Sequence, residues 1–132
     1  MRSIHPEFLI LSACCSAFRE EDNRIRTREL EDILWHLDYK SKKVKGVYKG
    51  VEEDSFLVVT KDTGGILELA NSFNQEAVLH VSPMREASLV FLSDTPPVYQ
   101  GIWTEVTKHT AQYQDNYTMD TDGRYYITRR IK

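Results

Sequence analysis

Two short polar runs stand directly before apolar runs in the middle of this 132-residue chain. Glu52, Glu53 and Asp54 precede Phe56–Val59, and Asn74, Gln75 and Glu76 precede Ala77–Val81. Apolar, β-branched runs of this length read as buried strands. Carboxylates and an amide at the mouths of such strands are costly to desolvate unless they stay wet or find partners. A mouth of this kind suits a cationic ligand. Tyr48 and Glu53 flank a hairpin turn, so their backbones lie near one another and both can serve one cleft. The same residues also fit a plainer description, a solvated turn and the polar start of a strand.

The elements that would hold these groups follow from periodicity. Phe8–Ala13 is expected as a first strand, apolar on both faces and therefore central in its sheet. Cys14–Asp22 reads as a loop. Arg24 to about Leu37 has helical spacing at Leu30, Ile33, Leu34 and Leu37, with Asp22 or Asn23 as the N-cap. After a basic turn, Asp38–Lys45, a second strand is expected at about Val44–Tyr48. Lys49–Asp54, with Gly50, would connect it to an antiparallel third strand, Phe56–Thr60. Thr63-Gly64-Gly65 introduces a second helix, about Ile66–Phe73.

Gln75–Val81 is expected as the fourth strand and Ala87–Leu92 as its hairpin partner. Ile102–Val106 reads as a short extended piece, Lys108–Asn116 as a polar or weakly helical excursion, and Arg124–Thr128 as a final strand. The order β-α-β-β-α-β with extra C-terminal strands predicts an α+β protein, a ferredoxin-like α/β sandwich in a single domain over 1–132. The second face of such a sheet needs cover, so a homo-oligomer is expected.

Hydrophobic residues make up 41% of the chain and charged residues 28%, which places it among ordinary globular proteins. A net charge of −3 argues against general nucleic-acid binding. The basic clusters Lys40–Lys45 and Arg129–Lys132 read as solvated edges. Cys14 and Cys15 are adjacent, which disfavours a structural disulfide between them. With neither a bilayer-spanning stretch nor a signal-peptide layout, a reducing cytoplasm and no membrane partner are expected. GxSxG, Walker, GxGxxG and HExxH motifs are missing, and the four histidines lack ligand spacing, so neither a metal nor a cofactor is expected.

An ordered set of short motifs changes the weighting. Leu11-Ser12-Ala13, Asn23 and Arg28, Tyr48, Glu52-Glu53 before a β-branched strand, Leu69-Ala70, Gln75 before a Val/Leu strand, the Ala87–Leu92 piece, Glu105-Val106 and Asp122–Tyr125 run in one order over nearly the whole chain. In this the sequence resembles the phage-encoded S-adenosylmethionine-degrading enzymes, first called hydrolases and now understood as lyases. The resemblance implies a homotrimer of α/β sandwiches similar to the nitrogen-regulatory PII proteins, with substrate sites at subunit interfaces. It also implies a unimolecular reaction, in which the substrate's own carboxylate attacks its γ-carbon and expels 5′-methylthioadenosine, leaving homoserine lactone.

Carried over by motif, Glu53 corresponds to the family's essential acid, Tyr48 to its tyrosine and Gln75 to a polar residue at a strand start. The Tyr48-to-Glu53 connection is shorter than the family's, which leaves Glu52 in contention for the acid. Glu52, Glu76, Ser12, Ala13, Asn23 and Arg28 are the expected substrate-binding positions. The implied role is depletion of the host's methyl donor, a counter to restriction–modification. Two other readings fit the same residues: a non-catalytic PII-like nucleotide-binding or ligand-sequestering trimer, and a phage inhibitor of a host protein.

Overall fold

Strand β1 (Phe8–Ser12) sets the architecture because both of its faces are apolar and each is buried against a different core. Leu9 and Leu11 pack beneath two helices, α1 (Glu20–His36) and α2 (Thr63–Ser72), together with Leu30, Leu34, Ile66, Leu69, Ala70 and Phe73. Phe8 and Ile10 point the other way, toward Val81, Ala87 and Trp103. The computed structural model describes residues 6–15, 18–48 and 50–129, with Tyr48 described in its backbone alone.

The remaining elements are β2 (Lys40–Tyr48), β3 (Val51–Val59), β4 (Ala77–Val81), β5 (Glu86–Phe91), β6 (Val98–Val106), α3 (Lys108–Gln112), β7 (Asn116–Asp120) and β8 (Tyr125–Arg129). The strands close into a barrel in the order β1-β3-β2-β7-β8-β6-β5-β4, with every neighbouring pair antiparallel. Each strand therefore has one wall face and one interior face. On β3, Phe56 and Val58 belong to the helix-covered core, whereas Leu57 and Val59 belong to the interior one. Full burial of a side chain such as Phe56 or Val58 stabilises the fold by about 1.5–3 kcal/mol.

This closure overturns the ferredoxin-like, PII-like α/β sandwich. The first six elements occur in the expected order, but β5, β6, β8 and β7 curl round instead of extending an open sheet. The sheet covers its own second face, so the reason for expecting an oligomer to cover it disappears. Two features make the curl possible. A bulge interrupts the β5–β6 register between Ala87↔Gly101 and Ser88↔Tyr99, with Gly101 at φ 125, a conformation that residues with a Cβ rarely adopt. Strand β7, of which only Asn116 falls in the expected polar excursion and the rest in no expected element, bridges β2 to β8.

Boundaries shift accordingly. Strand β2 begins at Lys40, inside the expected basic turn, and β3 begins at Val51, so Glu52, Glu53 and Asp54 are strand residues. Helix α1 starts at Glu20 with Arg19 as N-cap, in place of Asp22 or Asn23. Among the described residues no helix is long and apolar enough to cross a membrane.

At one end of the barrel, Lys42 Nζ donates to Asp120 Oδ2. Asp120 is 3% exposed and Lys42 about half exposed. Burial on its own would raise the Asp120 carboxyl, but hydrogen bonds from Lys42, the Asp122 N–H and Thr121 outweigh it and hold the group below the ordinary carboxylate range. A depressed folded value means that this stabilisation is present above the unfolded value and is lost as pH falls through the folded one. Asp120→Asn should therefore lower stability near neutral pH by about 1.5 kcal/mol, the low end for a charge-assisted bond because Lys42 is half exposed. Urea unfolding at pH 7 and pH 3 checks this, with the difference between the two proteins shrinking at the lower pH.

Candidate functional site

The two polar runs approach one another at the opposite end of the barrel, where β1, β2, β5 and β8 finish and β3, β4, β6 and β7 begin. The acidic run lies on β3, and the two-residue period of a strand separates its members. Glu52 Oε2 lies 3.8 Å from Lys45 Nζ, and Asp54 lies 3.6 Å from Lys45 and 3.7 Å from Lys43. Glu53 points to the other face and opposes Gly46 in the ladder. No cation pairs with it among the described residues, and it is exposed.

Glu53 lies where two hollows meet. An outer cleft of about 550 Å³ is lined by residues of the β1–α1 connection, the first turns of α1 and the start of β3, including Cys14, Cys15, Asn23, Thr27 and Glu52–Asp54. Its walls carry four carboxylates, Glu20, Glu52, Glu53 and Asp54, against Arg24 and Lys45. The second hollow, about 650 Å³, opens into the barrel and is lined by Glu53, Ser55, Gly46, Trp103, Tyr126 and Thr118 among others. Val51, 68% exposed, also borders both.

The floor of the outer cleft is fixed by side chains spent on backbone. Ser12 Oγ donates to Asp54 O at 2.9 Å and accepts from Cys14 N at 2.9 Å. Asn23 forms a two-way clamp on Cys15, accepting from its N–H at 2.9 Å and donating to its carbonyl at 3.0 Å. Arg26 donates through Nε to Ala13 O at 2.8 Å and through Nη2 to Phe73 O, and its guanidinium lies 4.6 Å from the Phe18 ring centroid. Gln75 Nε2 donates to Cys14 O at 2.7 Å. Net contributions of about 0.5–1.5 kcal/mol per bond hold the Ala13–Cys15 backbone in place.

Gln75 reaches Cys14 because of the way α2 ends. Asn74 takes φ 60, its N–H bonds Asn71 O at 3.0 Å, and Gln75 N bonds Ala70 O at 3.1 Å. These are the paired bonds of a Schellman stop, which tolerates Asn in the left-handed position. The Asn74–Glu76 run is thus a helix terminus, and β4 starts only at Ala77.

Ser12, Ala13, Asn23 and Gln75 therefore gather around the connection that forms the cleft, and Glu52 and Glu53 line the cleft itself. Arg28 and Glu76 are exposed and border neither hollow; the Glu76 carbonyl accepts from Leu92 N at 3.0 Å. Tyr48 ends β2, its backbone paired with Val51 and Asn116, and its side chain lies outside the described residues.

Sequence reasoning missed Arg26, Trp103 and Tyr126. Arg26 could have been found, since it sits beside the inward stripe Asn23, Thr27, Leu30, Leu34, whereas Arg28 does not. Trp103 and Tyr126 fall within pieces expected to be extended, but only closure brings them opposite β3. Asn74→Val should destabilise the fold by about 1–2 kcal/mol through the left-handed backbone penalty, and Asn74→Gly should be near neutral. Thermal unfolding of the two variants checks this.

No curated protein matches the chain. The model of the S-adenosylmethionine lyase family matches residues 9–129, a span that runs from β1 to the end of β8 and includes every residue of both hollows described above. A match over this much of the chain means that the protein belongs to the S-adenosylmethionine lyase family.

Proposed function

We propose that the protein cleaves S-adenosylmethionine to 5′-methylthioadenosine and homoserine lactone at the end of the barrel where Glu53 lies. Family membership supports lyase action on S-adenosylmethionine. The observation that carries the assignment to this end is the uncompensated Glu53 carboxylate on the rim shared by the two hollows. Glu52 and Asp54, by contrast, already face Lys43 and Lys45. A substrate with an ammonium and a sulfonium brings the positive charge that Glu53 lacks.

The chemistry asks little of the protein beyond shape and charge. One oxygen of the substrate's carboxylate forms a bond to the γ-carbon while the γ-carbon–sulfur bond breaks. The bonding pair leaves with sulfur as a neutral thioether. No water enters and no general base is required. Holding the methionyl chain folded for in-line attack is worth up to about 7–11 kcal/mol. Glu53 anchors the substrate ammonium, which fixes one end of that chain.

Tyr48 is proposed as the aromatic group that meets the sulfonium, since its backbone pairs with Val51 on the same rim; such a contact is worth about 0.5–2 kcal/mol. Because charge is lost at both reacting ends, a water-poor site favours the transition state over the ionic ground state. Gln75, Ser12, Ala13 and Asn23 act by holding the loop that shapes the cleft.

A homotrimer with shared sites and a role in depleting a host's methyl donor belong to this proposal through the phage resemblance. Exposed Val51 beside Glu53 is apolar surface that a neighbouring subunit would cover. Light scattering tests the assembly, and a monomer at working concentration would remove the shared-site part.

Incubating the purified protein with S-adenosylmethionine should give methylthioadenosine and homoserine lactone by chromatography; recovery of intact ligand would favour sequestration instead. Glu53→Gln should lower kcat/KM at least a hundredfold, about 2.7 kcal/mol, while Glu52→Gln should change it less than tenfold. Equal losses in both variants would remove the distinction between the two acids.

A further inference from the structure

The Lys42–Asp120 end of the barrel, opposite Glu53, holds a cavity of about 300 Å³. It shares no residue with the outer cleft, and it shares only Trp103, Thr118 and Tyr126 with the hollow that Glu53 borders. One side of it is apolar. Trp103 and Tyr126 stack with ring centroids 5.1 Å apart and planes 14° apart, and the Phe8 ring meets Trp103 edge-on at 5.3 Å. Leu57 and Val59 of β3 continue that wall.

Strand register sets two cations beside the apolar wall. Directly opposed residues of a ladder share a face of the sheet, and Lys42↔Leu57 and Lys40↔Val59 are such pairs, so both lysines leave β2 on its interior side. Asp120, opposed to Val44, shares that side and is already satisfied: Oδ2 accepts from Lys42, and Oδ1 accepts from Thr121 Oγ1 and Asp122 N, each at 3.3 Å. An ammonium carries three N–H donors. Lys42 commits one to Asp120, and Lys40 pairs with no carboxylate among the described residues. Two ammoniums against one carboxylate leave the cavity with one positive charge in excess.

We propose that this cavity binds a small organic monoanion, a carboxylate on an apolar or aromatic body, at a site separate from that of the substrate. The carboxylate accepts from Lys40 and from the remaining donors of Lys42, charge-assisted bonds of the stronger kind. The body lies against the Trp103, Tyr126 and Phe8 rings and is removed from water there. The volume suits a ligand of this size. It stands at the small end of the roughly 300–1,000 Å³ of ligand pockets, and an apolar cavity of roughly 150 Å³ already takes a benzene ring. A multiply charged phosphate, by contrast, would meet a single excess positive charge and walls that cannot replace its water. Nothing in this inference draws on the lyase reading.

Lys40 and Asp120 border this cavity and neither of the hollows at the Glu53 end, so their substitution locates the ligand. Lys40 is exposed at the start of β2, and Lys40→Met removes its charge while keeping an unbranched side chain. Asp120→Asn keeps the shape of the cavity and releases Lys42 from its carboxylate. The two substitutions therefore act on an anion with opposite signs.

The chain has two tryptophans, Trp103 in the cavity wall at 5% exposure and Trp35 on α1 at 77%, so their indole N–H resonances separate local binding from general effects. Benzoate titrated into nitrogen-15-labelled protein should move the Trp103 resonance saturably in the millimolar range and leave that of Trp35 in place, with Trp35→Phe assigning the two. Benzamide, of the same shape without the charge, should bind at least tenfold more weakly, and inorganic phosphate should not move Trp103. Lys40→Met, with an otherwise unchanged spectrum, should weaken benzoate at least fivefold, and Asp120→Asn should tighten it. No saturable Trp103 shift up to tens of millimolar benzoate, equal affinity for benzamide, a response to phosphate as strong as to benzoate, or undiminished benzoate binding in the Lys40→Met protein would each overturn the proposal.

Discussion

The alternation of faces along β3 is the constraint on which the candidate site depends. Three consecutive acids in a loop would share one solvent environment. On a strand that walls a barrel they cannot: Glu52 and Asp54 turn outward to Lys43 and Lys45, and Glu53 turns to the rim of the interior. The outward pairs are 3.6–3.8 Å apart and partly exposed, so they contribute little to stability. Their effect is to neutralise two of the three charges. The third remains available to a cation. The barrel supports this assignment through the register Gly46↔Glu53, which puts a residue without a side chain opposite the glutamate and keeps the mouth open.

A second constraint is the satisfaction of backbone groups where the outer cleft is built. A connection between a strand and a helix exposes backbone groups that must be satisfied. Here Ser12, Asn23, Arg26 and Gln75 satisfy several of them at once, and Arg26 and Gln75 tie the connection to the end of α2. A polar side chain committed to the backbone in this way shapes a site without touching a substrate. The chemistry proposed needs such a site, since a self-cleaving substrate gains from orientation and from a fixed charge and not from a nucleophile or base.

Much of this was readable from the chain, and the failures have physical causes. The apolar side of α2 and the hairpin around Gly50 follow from local periodicity and are present, whereas of the α1 stripe Leu30 and Leu34 are buried, Ile33 is partly buried and Leu37 is the exposed C-cap. The two-faced run FLILS was read as the centre of an open sheet because a strand cannot signal whether its second face meets a helix layer or the inside of a barrel. Strand β7, NYTMD, has too few apolar residues to register as a strand; its pairing with β2 and β8 makes it one. Gln75 was read as the start of a strand, whereas the left-handed Asn74 makes it the end of a helix. Closure depends on the bulge at Gly101 and on ladders between distant strands, which no local pattern encodes.

The central claim is that Glu53 supplies the counter-charge for the amino-acid end of the ligand and nothing for the nucleoside end. Calorimetry with S-adenosylhomocysteine, which carries the ammonium, and 5′-methylthioadenosine, which does not, measures this directly in wild-type and Glu53→Gln proteins. The account predicts that Glu53→Gln weakens S-adenosylhomocysteine binding at least tenfold and leaves methylthioadenosine binding unchanged. Equal weakening of both ligands, or of neither, would contradict it.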